Sequence, residues 1–271
     1  QLNGYEKERK RAESVVGYYP NIDNPRTINE KILWKKINDR NPLITETSDK
    51  IRVREYVCDK LGNEAEDIII PILETSEDPS KLSLSVHETP YVIKANHGYN
   101  MNLFVEDRRS ENEFLASTEE TSTSRWSRSD IQRECRKWLN TTHGFEDHQW
   151  GYLNIDRKLF VEPFISGDYG SRLTEIKIDC FHGEPKFTLL IVNRDEERRH
   201  TLVDAKGQKL EVQYKGRKDV SGDVLSDFRS ILPELRRWAS RLSEEFEYCR
   251  VDFYLTPNGP RFSEITHYPA R

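Results

Sequence analysis

The sequence predicts an α+β fold in which helices accompany antiparallel hairpins. Paired segments of alternating aromatic or β-branched and polar residues, joined by turn residues, predict hairpins at 90–105, 176–192 and 249–267. Residues 223–246 instead repeat apolar side chains at helical spacing, and residues 6–41 do the same, which predicts a helical N-terminal segment. At 271 residues the chain is long enough for one large domain or two compact ones.

The composition limits the classes of function. The 42 basic and 47 acidic residues give a net charge of -5, so the surface is heavily charged but nearly balanced, and bulk nucleic-acid binding is not predicted. No apolar run is long enough to span a bilayer, so we expect no membrane span. The four cysteines never form Cys-x-x-Cys pairs, which fits a reducing cytoplasm and gives no zinc signature. We therefore expect a soluble, cytoplasmic protein.

The N-terminal half alternates predicted helices with short strands. A capping-box pattern, Thr27 with Glu30 three residues later, begins a helix after the turn at 20–25. A second capped helix is predicted from residue 47 to Gly62, whose freedom to adopt a left-handed conformation ends it. Three further elements are predicted before the midpoint of the chain: a short buried strand at 68–73, a mobile surface loop at 106–130 and a helix at 131–139.

Three cations of this half are candidate phosphate ligands. Lys50 and Arg54 are four residues apart in the predicted helix and would project from one face, although a solvated face is the simpler alternative. Lys94 ends an apolar strand just before the turn that contains Gly98. A phosphate could be held there by the lysine and by the N–H groups of the turn, but Lys94 could equally protect an edge strand from aggregation.

In the C-terminal half, strands are predicted at 158–167, 176–181 and 187–192, followed by a polar segment at 194–218 with a hairpin around Gly207. The long amphipathic helix at 223–246 comes next. The final hairpin places Arg250 and Asp252 on one face of its first strand, and Glu264 and Thr266 on one face of its second. Two carboxylates held a few ångströms apart suit a magnesium ion that bridges nucleotide phosphates. The alternative is a solvated face on which Arg250 and Asp252 pair.

Taken together and in order, these segments resemble the ATP-grasp superfamily, and most closely its teichuronopeptide-biosynthesis (TupA-like) branch, over residues 27–268. The stretches that carry the resemblance are 48–54 with Ile70-Pro71, 90–98 with Lys94, 160–165, and the Arg250-x-Asp252 and Glu264-x-Thr266 pair. The resemblance implies two α+β lobes that hold a nucleotide between antiparallel sheets. It divides the chain into an N-terminal subdomain at 1–90, a mobile lobe at 91–160 and a C-terminal lobe with the metal site at 161–271.

The resemblance also implies a role for each candidate residue. The implied nucleotide-binding residues are Lys50, Arg54 and Lys94 at the phosphates, Glu162, Phe164 and Ile165 at the adenine, and Glu175 with Lys177 on the next strand. The resemblance gives Glu175 one of two roles: it holds the ribose hydroxyls or it orients Lys177. The implied metal ligands are Asp252, Glu264 and Thr266, and the implied catalytic residues are Arg250 and Lys94. Most members of the superfamily carry asparagine where Thr266 stands, and the closer branch resembles the Glu-x-Thr form.

The implied function is an ATP- and Mg²⁺-dependent ligase that joins a carboxylate to an amine through an acyl phosphate. For this branch the implied carboxylate belongs to an amino acid or to a uronic acid in a capsule or cell-wall glycan. Two alternatives stay open: a kinase that phosphorylates a sugar or alcohol, and a domain that binds ATP without turnover. The chain stops after His267-Tyr268-Pro269, which is compatible with one domain of a longer multidomain polypeptide.

Overall fold

The computed structural model of the chain describes residues 2–166, 174–194, 197–212 and 218–269. Helices and two antiparallel sheets make up these segments, which confirms the α+β prediction. The helices are α1 (Leu2–Val16), α2 (Ile28–Asn38), α3 (Leu43–Ser48), α4 (Val53–Leu61), α5 (Glu64–Ile68), α6 (Arg128–Asn140) and α7 (Gly222–Ser243). The strands are β1 (Glu74–Ser76), β2 (Tyr91–Ala95), β3 (Asn102–Arg108), β4 (Glu113–Thr118), β5 (Ser124–Ser127), β6 (Leu159–Pro163), β7 (Thr174–Phe181), β8 (Glu184–Arg194), β9 (Glu197–Asp204), β10 (Tyr248–Thr256) and β11 (Gly259–Thr266).

The first sheet has six strands in the order β1-β6-β2-β3-β4-β5. Its buried face packs on α6, where Ile131, Cys135 and Trp138 lie on one side of the helix. The same core contains Ile93 from β2 and Phe114 from β4, both fully buried. This sheet therefore has a small core of its own.

The second sheet has five strands in the order β11-β10-β7-β8-β9. The apolar face of α7 packs against it, as predicted, with Phe228, Leu235 and Trp238 in the shared core. Helices α4 and α5 contribute Val57 and Ile68 to the same core. Burial of one face leaves the other face of this sheet available for polar side chains.

The capping box at the start of α2 is confirmed. The Thr27 side chain accepts a hydrogen bond from the backbone N–H of Glu30, and the Glu30 carboxylate accepts one from the backbone N–H of Thr27. The same carboxylate also accepts from the backbone N–H groups of Asn21 and Arg26. These donors hold the pKa of Glu30 at about 2, below its usual value of 4.5. Glu30 thus fixes the turn before α2 as well as the helix end.

The continuous helix predicted from residue 47 to Gly62 is wrong at its start. The structure has a short helix that ends at Ser48, a turn, and then α4. The carboxylate of Asp49 accepts hydrogen bonds from the backbone N–H groups of Ile51 and Arg52, at 2.8 and 3.3 Å. Because this side chain competes with the helical hydrogen-bond pattern, Lys50 lies in a turn rather than on a helix face. Gly62 ends α4 with a φ of 61°, as predicted.

Two other predictions are wrong. Residues 69–73 form no strand: Pro71 has no N–H to donate, and the sheet begins only at β1, after Leu73 donates to the carbonyl of Val161 at 2.7 Å. The stretch 106–130 is not a loop, because it contains the end of β3, all of β4 and β5, and the start of α6. Phe114 and Ala116 are fully buried at alternate positions, a period-two pattern that the polar composition around them obscured.

The remaining predicted elements are confirmed in the described segments, with Gly167 and part of the polar segment at 194–218 lying outside them. The division of the chain at residues 90 and 160 stays a prediction; the sheets themselves run from 74 to 163 and from 174 to 266. Across the described segments, no helix combines the length and the hydrophobicity that crossing a bilayer requires.

Candidate active site

The final hairpin places four polar side chains on the open face of the five-stranded sheet. Strands β10 and β11 pair so that Arg250 lies opposite Thr266, and Asp252 lies opposite Glu264. A small bulge follows Asp252, where the register shifts before Phe253. Directly opposed residues have side chains about 5 Å apart at their Cβ atoms, so the two carboxylates and the guanidinium share one small volume.

Arg250 and Asp252 form a bidentate pair. The Nε and Nη2 atoms of Arg250 donate to the two oxygens of Asp252 at 2.7 and 2.5 Å. Nη2 also reaches the hydroxyl of Thr266 at 3.3 Å, and that hydroxyl donates to Glu264 at 3.0 Å. Burial opposes the charge on Arg250, but Asp252 outweighs it and raises the pKa of the guanidinium further. The solvated pair considered from the sequence is therefore ruled out, because the side chain of Asp252 is only 4% exposed.

Lys50 reaches this hairpin from the turn between α3 and α4. Its Nζ lies 3.0 Å from Oε2 of Glu264. The charge of Lys50, opposed by burial, holds the pKa of Glu264 below its usual range. Burial disfavours the charge on Lys50, but Glu264 outweighs it and raises the pKa of the lysine. Both groups are thus ionised at neutral pH.

Strands β7 and β9 extend the charged surface. Lys177 lies 3.2 Å from Asp252 and 2.8 Å from Glu175, and Arg198 lies 2.7 Å from the other oxygen of Glu175. Burial disfavours the charge on Lys177, yet Asp252 and then Glu175 raise its pKa. Glu175 therefore orients Lys177, one of the two roles that the sequence offered for it.

A second cluster lies on the six-stranded sheet. Glu162 on β6 pairs with Lys94 on β2 and, at 2.9 Å, with Arg54 from α4. The guanidinium of Arg54 also lies 5.2 Å from the centre of the Phe160 ring. The carboxylate of Glu162 is almost fully buried and is occupied by these two cations, so it holds them in place. A role for Glu162 in reading the adenine edge stays a prediction.

The two clusters are parts of one continuous network. Arg54 donates to the backbone carbonyl of Lys50, whose ammonium pairs with Glu264, and this links the two sheets. In chain order the network joins six cations, Lys50, Arg54, Lys94, Lys177, Arg198 and Arg250, to four carboxylates, Glu162, Glu175, Asp252 and Glu264. Its members carry a surplus of positive charge, which suits a polyanionic ligand.

Asn96, at the end of β2, fastens the turn that carries Lys50. The backbone carbonyl of this buried residue accepts a hydrogen bond from the backbone N–H of Lys50 at 3.0 Å. Its side-chain amide donates to the carbonyl of Asp156, and its side-chain oxygen accepts from the backbone N–H of Lys158. Phe164 and Ile165 lie just past the end of β6, outside the ionic network, and the ring of Phe164 packs edge-on against Phe104 at 6.3 Å between ring centres. Their predicted contact with an adenine ring stays a prediction.

A cavity of about 860 Å³ opens beside the hairpin. The residues that line it include Arg250, Glu264, Lys177 and Lys50, together with several residues of α1. Tyr152 also faces it, and burial raises the pKa of this tyrosine to about 12, so its phenol stays neutral. The volume lies in the range of small-molecule sites in proteins.

The comparison with protein families decides the identity of this arrangement. A model described as TupA-like ATPgrasp matches residues 30–271, most of the chain.

The chain belongs to the TupA-like ATP-grasp family.

Solved structures with a similar fold include an N5-carboxyaminoimidazole synthase from Aspergillus clavatus in complex with ADP (13% identity, 83% of this chain, 45% of that chain, TM-score 0.42). Others are a D-alanine–D-alanine ligase from Bacillus anthracis complexed with ATP (15%, 83%, 56%, 0.38) and the macrocyclase MdnC from Microcystis aeruginosa bound with its precursor peptide (15%, 86%, 57%, 0.39). The chain spans about half the length of these proteins. A search of curated proteins found no matching sequence. The family match, rather than these distant structures, carries the assignment.

The TupA-like ATP-grasp assignment confirms the resemblance drawn from the sequence. The match begins at residue 30, so α1 and the turn before α2 precede the region that the family shares.

The residues of the hairpin fit a magnesium ion that also binds phosphates. Asp252 and Glu264 offer hard oxygens from opposed positions, and Thr266 adds a hydroxyl. In the described segments, no group of three or more His, Cys, Asp or Glu side chains could hold a metal alone. Mg²⁺ commonly uses one or two carboxylates and completes its shell with water and substrate phosphates. The two carboxylates are paired with Arg250 and Lys50 here, so metal binding has to compete with these cations.

Sequence reasoning missed three contributors to the site. Arg198 lies in the polar segment after β8, where no motif marks it, and Asn96 anchors the turn of Lys50 through contacts that spacing alone does not predict. The third contributor is the face of α1, where a signal was present: Glu8, Arg11, Ala12, Val15 and Val16 recur at helical spacing and all line the cavity.

Proposed function

We propose that this chain is an ATP- and Mg²⁺-dependent carboxylate–amine ligase that works through an acyl phosphate. The observation that supports it most is the continuous ionic network, in which Lys50 links the cations around Glu162 to the carboxylates of the final hairpin, and the hairpin lines an 860 Å³ cavity. The family assignment supports the same class of reaction.

In the proposed complex, ATP lies between the two sheets, in the cleft between a lobe at 91–160 and a lobe at 161–271. Lys94 and Arg54, held by Glu162, bind the phosphates from one side. Lys177, held by Glu175, approaches from the other. Asp252 and Glu264 would hold Mg²⁺, which when bound would neutralise part of the phosphate charge.

The chemistry follows in two steps. An oxygen of the substrate carboxylate attacks the γ-phosphorus of ATP, ADP leaves, and an acyl phosphate forms. The amine nitrogen then attacks the acyl carbon, inorganic phosphate leaves, and the nitrogen loses a proton to give the amide. In this proposal Arg250 holds the transferred phosphoryl group and the oxyanion of the tetrahedral intermediate. Its support is that Asp252 fixes the orientation of the planar guanidinium.

The carboxylate substrate that we propose is a uronic acid or a related acid of a polysaccharide precursor, handled in the cytoplasm. The resemblance to the closer branch of the superfamily supports this choice of substrate. The cations Lys50, Lys177 and Arg250, which line the cavity, suit a negatively charged acid.

The test incubates the full chain with Mg²⁺-ATP, glucuronate or galacturonate, and hydroxylamine, which traps acyl phosphates as hydroxamates. We expect ADP and hydroxamate to form together, and an amide to form when an amino acid replaces hydroxylamine. A phosphorylated sugar without hydroxamate would identify a kinase instead. ATP binding without hydrolysis in the presence of every acid tested would identify a non-catalytic nucleotide-binding domain.

A further inference from the structure

Arg198 differs from the other cations of the ionic network in how much of its side chain is accessible. The side chains of the other five cations are between 14% and 19% exposed, whereas that of Arg198 is 43% exposed. Arg198 also lines the cavity beside the final hairpin. Within the described network, its guanidinium is therefore the one that a ligand in the cavity reaches most readily.

The guanidinium of Arg198 also has hydrogen-bond donors to spare. It reaches from β9 across β8 to Glu175 on β7, where Nη2 donates to Oε1 at 2.7 Å. Within the described segments this is the only hydrogen bond of the Arg198 side chain, although a guanidinium carries five N–H donors. Arg250 differs, because its Nε and Nη2 atoms both donate to Asp252. Arg198 can thus keep Glu175 as a partner and still donate to a planar anion.

Glu175 holds Arg198 next to the proposed phosphate site. One oxygen of Glu175 pairs with Arg198, and the other pairs with Nζ of Lys177 at 2.8 Å. Lys177 in turn lies 3.2 Å from Asp252. Only the carboxylate group of Glu175 separates the two cations, so an anion bound to Arg198 would lie beside a phosphoryl group bound to Lys177.

The sheet surface that Arg198 crosses is apolar. On β8, Leu189 lies directly opposite Lys177, and Ile191 lies directly opposite Glu175. Both side chains are buried and both line the cavity. They carry no charge that would compete for the guanidinium, and an apolar floor strengthens the attraction between a cation and an anion above it.

We propose that Arg198 binds the carboxylate of the acid substrate and holds it beside the γ-phosphoryl group of ATP. The inference rests on the proposed ligase function, in which that carboxylate attacks the γ-phosphorus. Each carboxylate oxygen has two lone pairs, so an oxygen that accepts from Arg198 keeps a lone pair for the attack. Arg198 is then a substrate-binding and specificity residue, because an alcohol, the acceptor of a kinase, would leave its paired donors without a matching anion.

The first measurement is binding by calorimetry in the presence of Mg²⁺ and a non-hydrolysable ATP analogue. The probes are glucuronate and galacturonate, with glucose and galactose as their counterparts without the carboxylate. We expect at least one uronate to bind roughly tenfold or more tightly than its neutral counterpart, and this preference should fall by roughly tenfold to a hundredfold in Arg198→Gln, the effect of one hydrogen bond to a charged group. Equal binding within both pairs, or no binding of either uronate, would overturn the proposal.

Two further variants keep the test decisive. Arg198→Lys keeps the charge beside Glu175 but loses the planar pair of donors, so its preference should lie between those of the wild type and Arg198→Gln. Arg199→Gln is the matched control: this arginine also pairs with one glutamate, Glu197 at 3.0 Å, but alternation along β9 turns it to the other face of the sheet. A loss of preference in Arg199→Gln as large as in Arg198→Gln, or wild-type preference in both Arg198 variants, would contradict the site.

Kinetics in the hydroxamate assay separate substrate binding from an indirect effect through Lys177. At saturating Mg²⁺-ATP, Arg198→Gln should raise the KM for the uronate by roughly tenfold or more, while the Kd for ATP hardly changes. A lower kcat and weaker ATP binding with an unchanged KM for the uronate would mean that Arg198 only orients Lys177 through Glu175, which would refute its proposed role and leave the ligase function standing. A wild-type chain that prefers uronates through Arg198 but forms no hydroxamate would refute the ligase function alone.

Discussion

The two sheets assemble their parts of the ionic network in different ways. In the five-stranded sheet, Arg250, Asp252 and Glu264 lie on adjacent strands in fixed register, and Lys177 lies on the next strand. In the six-stranded sheet only Lys94 and Glu162 come from paired strands, and the third member, Arg54, arrives from α4, 108 residues before its partner Glu162. The first arrangement fixes groups relative to each other, which suits the proposed chemistry, whereas the second gathers cations around one carboxylate, which suits the proposed binding of phosphates.

This contrast predicts that substitutions in the five-stranded sheet lower the rate, while those in the six-stranded sheet lower the affinity for ATP. The largest effect is expected for Asp252→Asn and Glu264→Gln, each of which removes a hard oxygen ligand and should lower turnover by roughly a thousandfold or more. ADP release measures it. Wild-type turnover in both variants would break the assignment of the metal ligands.

The same two variants also compare a buried carboxylate with a more accessible one. Asp252 holds two cations while its side chain is 4% exposed, whereas that of Glu264 is 33% exposed. Breaking a buried pair costs about 3 kcal/mol or more, so Asp252→Asn should lower the melting temperature clearly more than Glu264→Gln.

The next effect concerns Arg250→Lys, which keeps the charge but loses the two-pronged contact with Asp252. Turnover should fall by roughly tenfold to a thousandfold, the range for one oxyanion donor. ATP affinity, measured by calorimetry, should hardly change, because the contact would act mainly in the transition state. A loss of ATP affinity in proportion to the rate would make Arg250 a phosphate clamp and would erase the contrast between the sheets.

Lys94→Met tests the other half of the contrast. Glu162 keeps Arg54 as a partner in this variant, so its carboxylate is not left without a counter-charge. We expect the Kd for ATP to rise by roughly tenfold to a hundredfold, the worth of one hydrogen bond between charged groups. Lys186→Met, which changes an exposed lysine of β8, is the matched control and should bind ATP normally. An unchanged Kd in Lys94→Met would remove the six-stranded sheet from nucleotide binding.

The smallest effect lies outside both sheets, at the capping box of α2, and should leave both turnover and ATP affinity intact. Folding lowers the pKa of Glu30 from 4.5 to about 2, because backbone N–H groups of Thr27, Asn21 and Arg26 bind its carboxylate. The unfolded chain therefore holds this proton more tightly, so the stabilisation is complete above about pH 5 and is lost as the pH falls towards 2.

Denaturant unfolding at several pH values checks this prediction. Glu30→Gln should be less stable than the wild type by about 1 kcal/mol at pH 7, the usual contribution of a helix cap, and the difference should shrink in acid. A difference that stayed constant from pH 7 to pH 3 would mean that the carboxylate charge at Glu30 does not contribute.

The contrast between the sheets also explains which parts of the structure could be predicted. The final hairpin was predictable because alternation along β10 and β11 decides which side chains share a face, and the short turn at Pro257-Asn258 sets the strands side by side. The role of Arg54 as a second partner of Glu162 could not be derived from spacing, since it depends on how α4 packs against a distant strand. The local sequence pattern thus predicts which side chains are neighbours within one hairpin, whereas contacts between distant elements depend on tertiary packing.

The errors have local causes. The turn at Lys50 depends on the buried carboxylate of Asp49, and a helical pattern cannot show that its side chain will bind the backbone N–H groups ahead of it. Strands β4 and β5 were hidden by their serine and threonine content, since Phe114 and Ala116 are their fully buried residues and Trp126 packs against the core while only partly buried. The repeat of the cavity-lining residues along α1 could be predicted from spacing. The contacts of Glu8 with Lys36 and His148 could not, because they depend on tertiary packing.

The surplus of positive charge in the ionic network also bears on how quickly a nucleotide is captured. The whole chain has a net charge of -5, so an approaching triphosphate is repelled at long range. At physiological ionic strength this repulsion is screened beyond about 8 Å, and the anion then senses mainly the local field of Lys94, Arg54 and Lys177. Added salt therefore weakens two opposing influences at once, and we expect the association rate to depend on ionic strength less steeply than the number of candidate phosphate-binding cations suggests.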